Sequence, residues 1–182
     1  AKDHPYSNLL LNLHYLPNLS PDQIWAEHRN FGHQFEPRYA HLRQPFLNNP
    51  DPNRPLRVGY VSADFRRHSV AFFLEPAIER HDRSQFQPYC YSAVLRPDRL
   101  THRFQEMVNT GWRDIVGISP EQFVKQVRAD GIDILVDLGG HTGNSRMMLF
   151  AGKPAPVQMT WLGYPNTTGL RSMDYRLTDD VA

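Results

Sequence analysis

The run IDILVDL at residues 132–138, like LRVGYVS at 56–62, is apolar along nearly its whole length rather than at alternate positions. A strand with one solvated face alternates, so strands of this kind are buried on both faces. Each is followed by a helical pattern. VAFFLEPAIERH (70–81), with Pro76 as a kink inside it, follows LRVGYVS, and LTHRFQEMVN (100–109) follows the strand FQPYCYSAV (86–94). A short strand at 112–116 leads to the capping box SPEQ (119–122), whose helix runs to about Ala129. SRMMLFAG (145–152) reads as a short helix after IDILVDL, and PVQMTWLG and MDYRLTD supply two more strands. Alternation of this kind specifies an α/β domain with a mostly parallel, doubly wound, Rossmann-like sheet covered by helices on both sides.

The first fifty residues have another character. YSNLLLNLHYL (6–16) sets Tyr6, Leu9, Leu10, Leu13 and Leu16 on one helical face. SPDQ at 20–23 is a capping box opening a second helix, with Ile24, Trp25, His28 and Phe31 as its apolar stripe. QPFLNNPDPNRP (44–55) carries four prolines and three asparagines and reads as a linker. We therefore divide the chain into a helical segment with linker, 1–52, and a Rossmann-like lobe, 53–182. Two helices cannot bury both their faces alone, so the hairpin is expected to pack on the lobe or on helices upstream.

Composition excludes more than it assigns. Twenty Lys and Arg against nineteen Asp and Glu leave a formal charge of +1, which provides no field for nucleic acid or an anionic membrane. No apolar run reaches about 18 residues and no signal peptide is visible, so a soluble, cytoplasmic protein is expected. The single cysteine, Cys90, lies inside a strand, rules out an internal disulfide, and reads as a small buried hydrophobe. The nine histidines are scattered, without H-E-x-x-H or paired carboxylates, so no metal site is expected.

In an open parallel sheet, ligands bind beyond the carboxyl ends of the strands. There the chain places SADFRRHS with Asp64 and His68, GGHTGN with His141 and Thr142, LGYPNTTG with Gly163, Tyr164 and Pro165, and TDD. The loops at the opposite rim, HDRSQ and RADG, look like ordinary solvated connections. The loop after the first strand has no glycine, and no lysine follows the glycines of GGHTGN, so neither the G-x-G-x-x-G nor the G-x-x-x-x-G-K-[ST] phosphate cradle is present. His68 has two readings: it caps the following helix, oriented by Asp64, or it moves a proton. His141 stands among glycines, which bring backbone close to a ligand, so its side chain is expected in a cleft rather than a core. GYPNTTG reads as a plain turn or as a hydroxyl-rich loop suited to a sugar.

LRVGYVSADFRRHSVAFFLEP, DGIDILVDLGGHTGNSRMMLFAGKPAPVQMTWLGYPNTTGL and MDYRLTDD resemble, in order and over about 125 residues, the amino-terminal half of the catalytic region of the O-linked N-acetylglucosamine transferase family, glycosyltransferase family 41. YSAV, GHT and WLGYPNTTGL bring the likeness closest to its SPINDLY branch. The resemblance implies one lobe of a GT-B fold, with the nucleotide held mainly by a second lobe and tetratricopeptide repeats upstream. It implies an inverting protein O-glycosyltransferase, inactive as this lobe alone. The expected partners are a Ser/Thr protein acceptor and UDP-N-acetylglucosamine or GDP-fucose as donor substrate, with no cofactor. The family's histidine after the first strand falls on His68, giving it the catalytic role, and the GYP loop lines the sugar end of the cleft with Gly163, Tyr164 and Pro165. Asp64, His141 and Thr142 complete the expected substrate contacts. A different reading is a non-catalytic module that binds protein through helical repeats and a glycosyltransferase-like lobe.

Overall fold

The computed structural model describes residues 3–180. Helices α1 (Asp3–Leu13) and α2 (Pro21–Phe35) form a hairpin, and a 3-10 segment, Glu36–Leu42, leads into the extended proline-rich stretch. Strand and helix then alternate: β1 (Leu56–Ser62), α3 (Ser69–Glu79), β2 (Phe86–Ser92), α4 (Arg99–Val108), β3 (Trp112–Asp114), α5 (Pro120–Ala129), β4 (Ile134–Asp137), α6 (Met148–Ala151), β5 (Val157–Thr160) and β6 (Tyr175–Arg176). All five strand pairings are parallel, in the order β3-β2-β1-β4-β5-β6. The chain winds outward from β1 through β2 to β3, then restarts at β4 on the other side of β1. The order reverses between β1 and β4, which is where an α/β sheet opens a crevice for a ligand. Val58 lies opposite Ile134 and Val61 opposite Asp137, so the two strands end level at that point.

Both faces of the sheet are covered, as the apolar strands require. Successive residues point to opposite sides: Val58, Tyr60, Cys90 and Val136 pack with Leu74, Ile78 and Phe104 of α3 and α4. Val61, Tyr89, Tyr91 and Leu135 pack with Phe123 and Val127 of α5 and with Phe150 of α6. Leu10, Leu13, Phe31 and Phe35 of the hairpin belong to that second cluster, so α1 and α2 complete the core of the lobe.

The helices begin where their sequences say. Ser20 and Ser119 each accept the backbone N–H three residues on, while Gln23 and Gln122 return the bond to the cap. The buried faces of the hairpin differ from those expected. α1 stops at Leu13, leaving Leu16 beyond it, and Leu9 and Leu16 are exposed. Trp25 is also exposed, with the Arg29 guanidinium 4.8 Å over its ring; half-buried Ile24, four residues before His28, takes the inward place. The docked row of α2 is His28, Phe31, Gly32 and Phe35.

The proline-rich stretch is tied down at its ends. Asn48 Nδ2, both terminal nitrogens of Arg54 and the Arg57 backbone N–H all donate to the buried carboxylate of Asp133, over 2.6–2.9 Å. Arg128 donates to the carbonyls of Gln44 and Pro45. Among the described residues, no helix is long and apolar enough to cross a membrane.

Candidate active site

Because every strand is parallel, the four loops singled out above leave the sheet at one rim. The crevice at the switch point lies between β1 and β4. Its lining includes Ser62 at the end of β1 and Asp64 beyond it, and Asp137 at the end of β4 with Gly139, Thr142 and Ser145 beyond it. Asp64 and Thr142, both expected at the site, face the same crevice.

His68 sits at the N-terminus of α3. Its Nδ1 accepts the Val70 backbone N–H at 3.3 Å, so it caps the helix, and Asp64 Oδ2 lies 3.8 Å from the same nitrogen. That hydrogen bond fixes the neutral ring as the tautomer with its proton on Nε2. The ring is partly exposed, with 38 % of its side-chain surface accessible, and Nε2–H is left to donate outward. Asp64 also accepts from Arg66 at 3.0 Å. The loop is held from below by Asp98, which caps α4 at Leu100 and Thr101 and also accepts the Arg67 backbone N–H at 2.7 Å. Between the starts of α3 and α4 runs a groove of about 820 Å³ lined by Arg67, Phe72, Arg99 and Arg103 among others.

The GGHTGN loop is built around Asp137, the last residue of β4. Its buried carboxylate accepts the Gly139 N–H at 3.1 Å, the Gly140 N–H at 2.9 Å and the Thr160 hydroxyl at 2.7 Å. Burial pushes this carboxyl above its ordinary value, against the pull of those three donors. Thr142 Oγ1 donates to the Gly139 carbonyl at 2.6 Å. The Gly139 and Gly140 amides are therefore occupied from within the loop.

His141 does not enter the cleft. It is fully buried. Its Nε2 bonds the Thr168 carbonyl at 2.9 Å and its Nδ1 meets the Ser7 hydroxyl at 3.0 Å. Burial pushes its pKa down to about 4, so the ring is neutral near pH 7. The expectation of a cleft residue fails because the hairpin covers this side of the loop. Tyr164 is placed likewise: its hydroxyl lies 2.7 Å from His28 Nε2 and 3.2 Å from His14 Nε2, and burial raises its pKa. The tyrosine ring thus faces the hairpin, and a ligand above the loop meets its backbone and its neighbours.

Gly163 and Pro165 line a separate hollow of about 440 Å³ above β5 and β6, together with Trp161, Leu162, Arg176 and Asp179 among others. A Cβ on Gly163 would stand 2.1 Å from the Leu138 carbonyl oxygen, and one on Gly140 would stand 2.2 Å from Tyr164 Cβ. These two glycines let the GGHTGN and GYPNTTG loops touch backbone to backbone. Leu162, at φ +69°, holds a left-handed conformation that costs a branched residue about 1 kcal/mol.

The structure thus brings Asp64 and Thr142 together at the switch point with His68 beside Asp64, sets Gly163, Tyr164 and Pro165 on the next hollow with the Tyr164 hydroxyl turned to the hairpin, and buries the side chain of His141. Reading the sequence for sites passed over Asp137, His28, His14, Ser7 and Asp98. Asp137 carried a signal, since an aspartate before two glycines is a turn former. The hairpin residues carried none, because their partners lie more than 130 positions away.

Comparison with known proteins agrees with this architecture. Residues 33–182 match the family Glycosyl transferase family 41. The Arabidopsis thaliana protein named "Probable UDP-N-acetylglucosamine--peptide N-acetylglucosaminyltransferase SPINDLY" is 42 % identical over 181 residues, 96 % of this chain and 19 % of the plant protein. A Caenorhabditis elegans UDP-N-acetylglucosamine–peptide N-acetylglucosaminyltransferase is 35 % identical over 131 residues, 69 % of this chain and 11 % of the other. A solved mutant of Thermobaculum terrenum O-GlcNAc transferase superposes with a TM-score of 0.89 and 41 % identity, covering 98 % of this chain and 34 % of that one. This chain spans about a fifth of the length of the plant relative. Its parallel sheet, its rim and its sequence place it together: the chain belongs to glycosyl transferase family 41.

Proposed function

We propose that this chain is the amino-terminal, Rossmann-like lobe of a GT-B protein O-glycosyltransferase that works with inversion. A Ser or Thr hydroxyl of a protein attacks the anomeric carbon of a nucleotide sugar, the bond from that carbon to the phosphate oxygen breaks, and the nucleoside diphosphate leaves with the hydroxyl's proton. The observation that carries this reading is the switch-point crevice lined by Asp64 and Thr142, with His68 held beside Asp64 and the Gly139 and Gly140 amides taken up by Asp137. A lobe with sugar-side groups and no phosphate loop needs a second lobe to hold the diphosphate. The names borne by the relatives favour UDP-N-acetylglucosamine as donor, and the SPINDLY likeness keeps GDP-fucose as its competitor.

In this reading His68 is the catalytic residue. Its Nε2–H is set to donate to an oxygen of the donor, where it would favour charge developing on the leaving side. Taking the acceptor proton at Nε2 would require the other tautomer, with Nδ1–H turned from the Val70 amide onto Asp64 Oδ2. Thr142 and Asp64 line the crevice as contacts for sugar or acceptor hydroxyls, and Gly163 and Pro165 shape the hollow beside them. His141 and Tyr164 serve by holding these loops.

Thermal denaturation of the full-length protein with UDP-N-acetylglucosamine and with GDP-fucose tests the donor. One nucleotide sugar is expected to raise the midpoint more than the other; a protein stabilised by neither would count against the reading. Because the diphosphate is assigned to a second lobe, these 182 residues alone are expected to turn over no nucleotide sugar, and measurable turnover by them would contradict the split site.

A further inference from the structure

The hairpin is joined to the GYPNTTG loop by hydrogen bonds whose directions are all determined. His28 Nδ1 lies 2.7 Å from the Ile24 carbonyl, which only accepts, so Nδ1 carries the proton and Nε2 accepts. The Tyr164 hydroxyl therefore donates to His28 Nε2 and receives His14 Nε2–H. His141 Nε2–H donates to the Thr168 carbonyl, and its Nδ1 accepts from the Ser7 hydroxyl. Two separate runs of donors and acceptors thus lead from the hairpin into the loop, one from His14 and His28 to Tyr164 and one from Ser7 through His141 to Thr168.

The backbones meet as closely as the side chains. A Cβ on Gly32 would stand 2.0 Å from the Gly169 carbonyl oxygen, and one on Gly169, at φ +74°, would stand 1.9 Å from the His28 carbonyl oxygen. Nothing is left between α2 and the loop that could take up a displacement. Gly163, Tyr164 and Pro165 of the same loop line the hollow above β5 and β6.

We propose that His28, assisted by His14, is a positioning residue for this site: the α1–α2 hairpin sets the conformation of the GYPNTTG loop through the Tyr164 hydroxyl, and a displacement of α1 is felt in the hollow. This rests on reading that hollow as the sugar end of the nucleotide-sugar cleft. The buried hydroxyl matters because removing either partner leaves a polar group unpaired in the core, at the cost of that group's desolvation. The device makes the helical segment part of the site rather than a spacer before it.

The test uses the full-length protein carrying His28→Leu, Tyr164→Phe, both together, or His28→Gln, whose amide oxygen can accept from the Tyr164 hydroxyl. Amide hydrogen exchange across 162–170 is expected to quicken by about tenfold in each single variant, with β1 and β4 unchanged. The double variant should be no faster than either single one, and His28→Gln should restore protection. The KM for the nucleotide sugar should rise in step with loop exchange, with kcat changed less. Exchange that quickens equally in β1 and β4, additive single effects, or an unchanged KM would each overturn the proposal, and Tyr164→Phe decides if His28→Leu does not fold. Failure of the wild-type protein to turn over either donor would defeat the functional reading, while the exchange data would still decide the coupling.

Discussion

Two polar residues of the rim owe their roles to what burial does to them. Asp137 gathers two amides and a hydroxyl at the end of β4. Replacing it with Asn sets an NH2 group against one set of donors, and the expected loss of stability is about 2 kcal/mol, read from urea unfolding. An unchanged midpoint would mean that the loop does not depend on this carboxylate. His141 acts through pH. Its folded pKa is depressed to about 4, while an unfolded histidine titrates near 6.5, so between those values the unfolded chain binds more protons. Stability is complete above about pH 6.5 and falls as pH drops toward 4, by at most about 3 kcal/mol for this residue. His14 and His28, also depressed by burial, act in the same direction. Urea midpoints measured between pH 7 and pH 5 should show this slope, and His141→Gln should flatten it. The position of His141 was illegible in the sequence for a physical reason: glycine neighbours say that backbone comes close to something, but not whether that something is a ligand or a helix. Here it is the hairpin, 134 residues earlier in the chain.

Secondary structure was legible wherever local chemistry decides it. β1 runs over LRVGYVS as the apolar pattern requires, and both Ser-Pro capping boxes start their helices. The misreadings fall where tertiary contacts decide. SRMMLFAG folds into only one helical turn, Met148–Ala151, because its first part closes the loop around Asp137 and Gly140, where the Ser145 hydroxyl donates to the Gly140 carbonyl. The apolar stripe of α1 extends in sequence to Leu16 but docks through Tyr6, Leu10 and Leu13, because a helical period says which residues share a face, not where the helix meets its neighbour. Docking of α2 on the loop has a direct test. Gly32→Ala puts a methyl against the Gly169 carbonyl with no flexible side chain to yield, and the expected cost is about 2–3 kcal/mol. A thermal midpoint within one degree of the wild type would show that the helix is free to shift.

At the scale of the whole molecule, the strand order sets the geometry. A sheet that reverses between β1 and β4 brings loops from distant parts of the chain to one rim, and that much follows from apolar strands separated by helices. Sequence left open whether the hairpin packs on the lobe or on helices upstream, and it could not foretell that the hairpin would cover the His141 side chain and take the Tyr164 hydroxyl. The central claim is that this rim, joined to a second lobe, transfers a sugar to protein hydroxyls with His68 at the reacting atoms. The direct measurement is the intact mass of a Ser/Thr acceptor peptide after incubation with the full-length protein and UDP-N-acetylglucosamine or GDP-fucose, wild type beside His68→Ala. The expected result is the mass gain of one sugar with the wild type, reduced by at least about a hundredfold in the variant. No gain with either donor, or an equal gain with His68→Ala, would contradict the account.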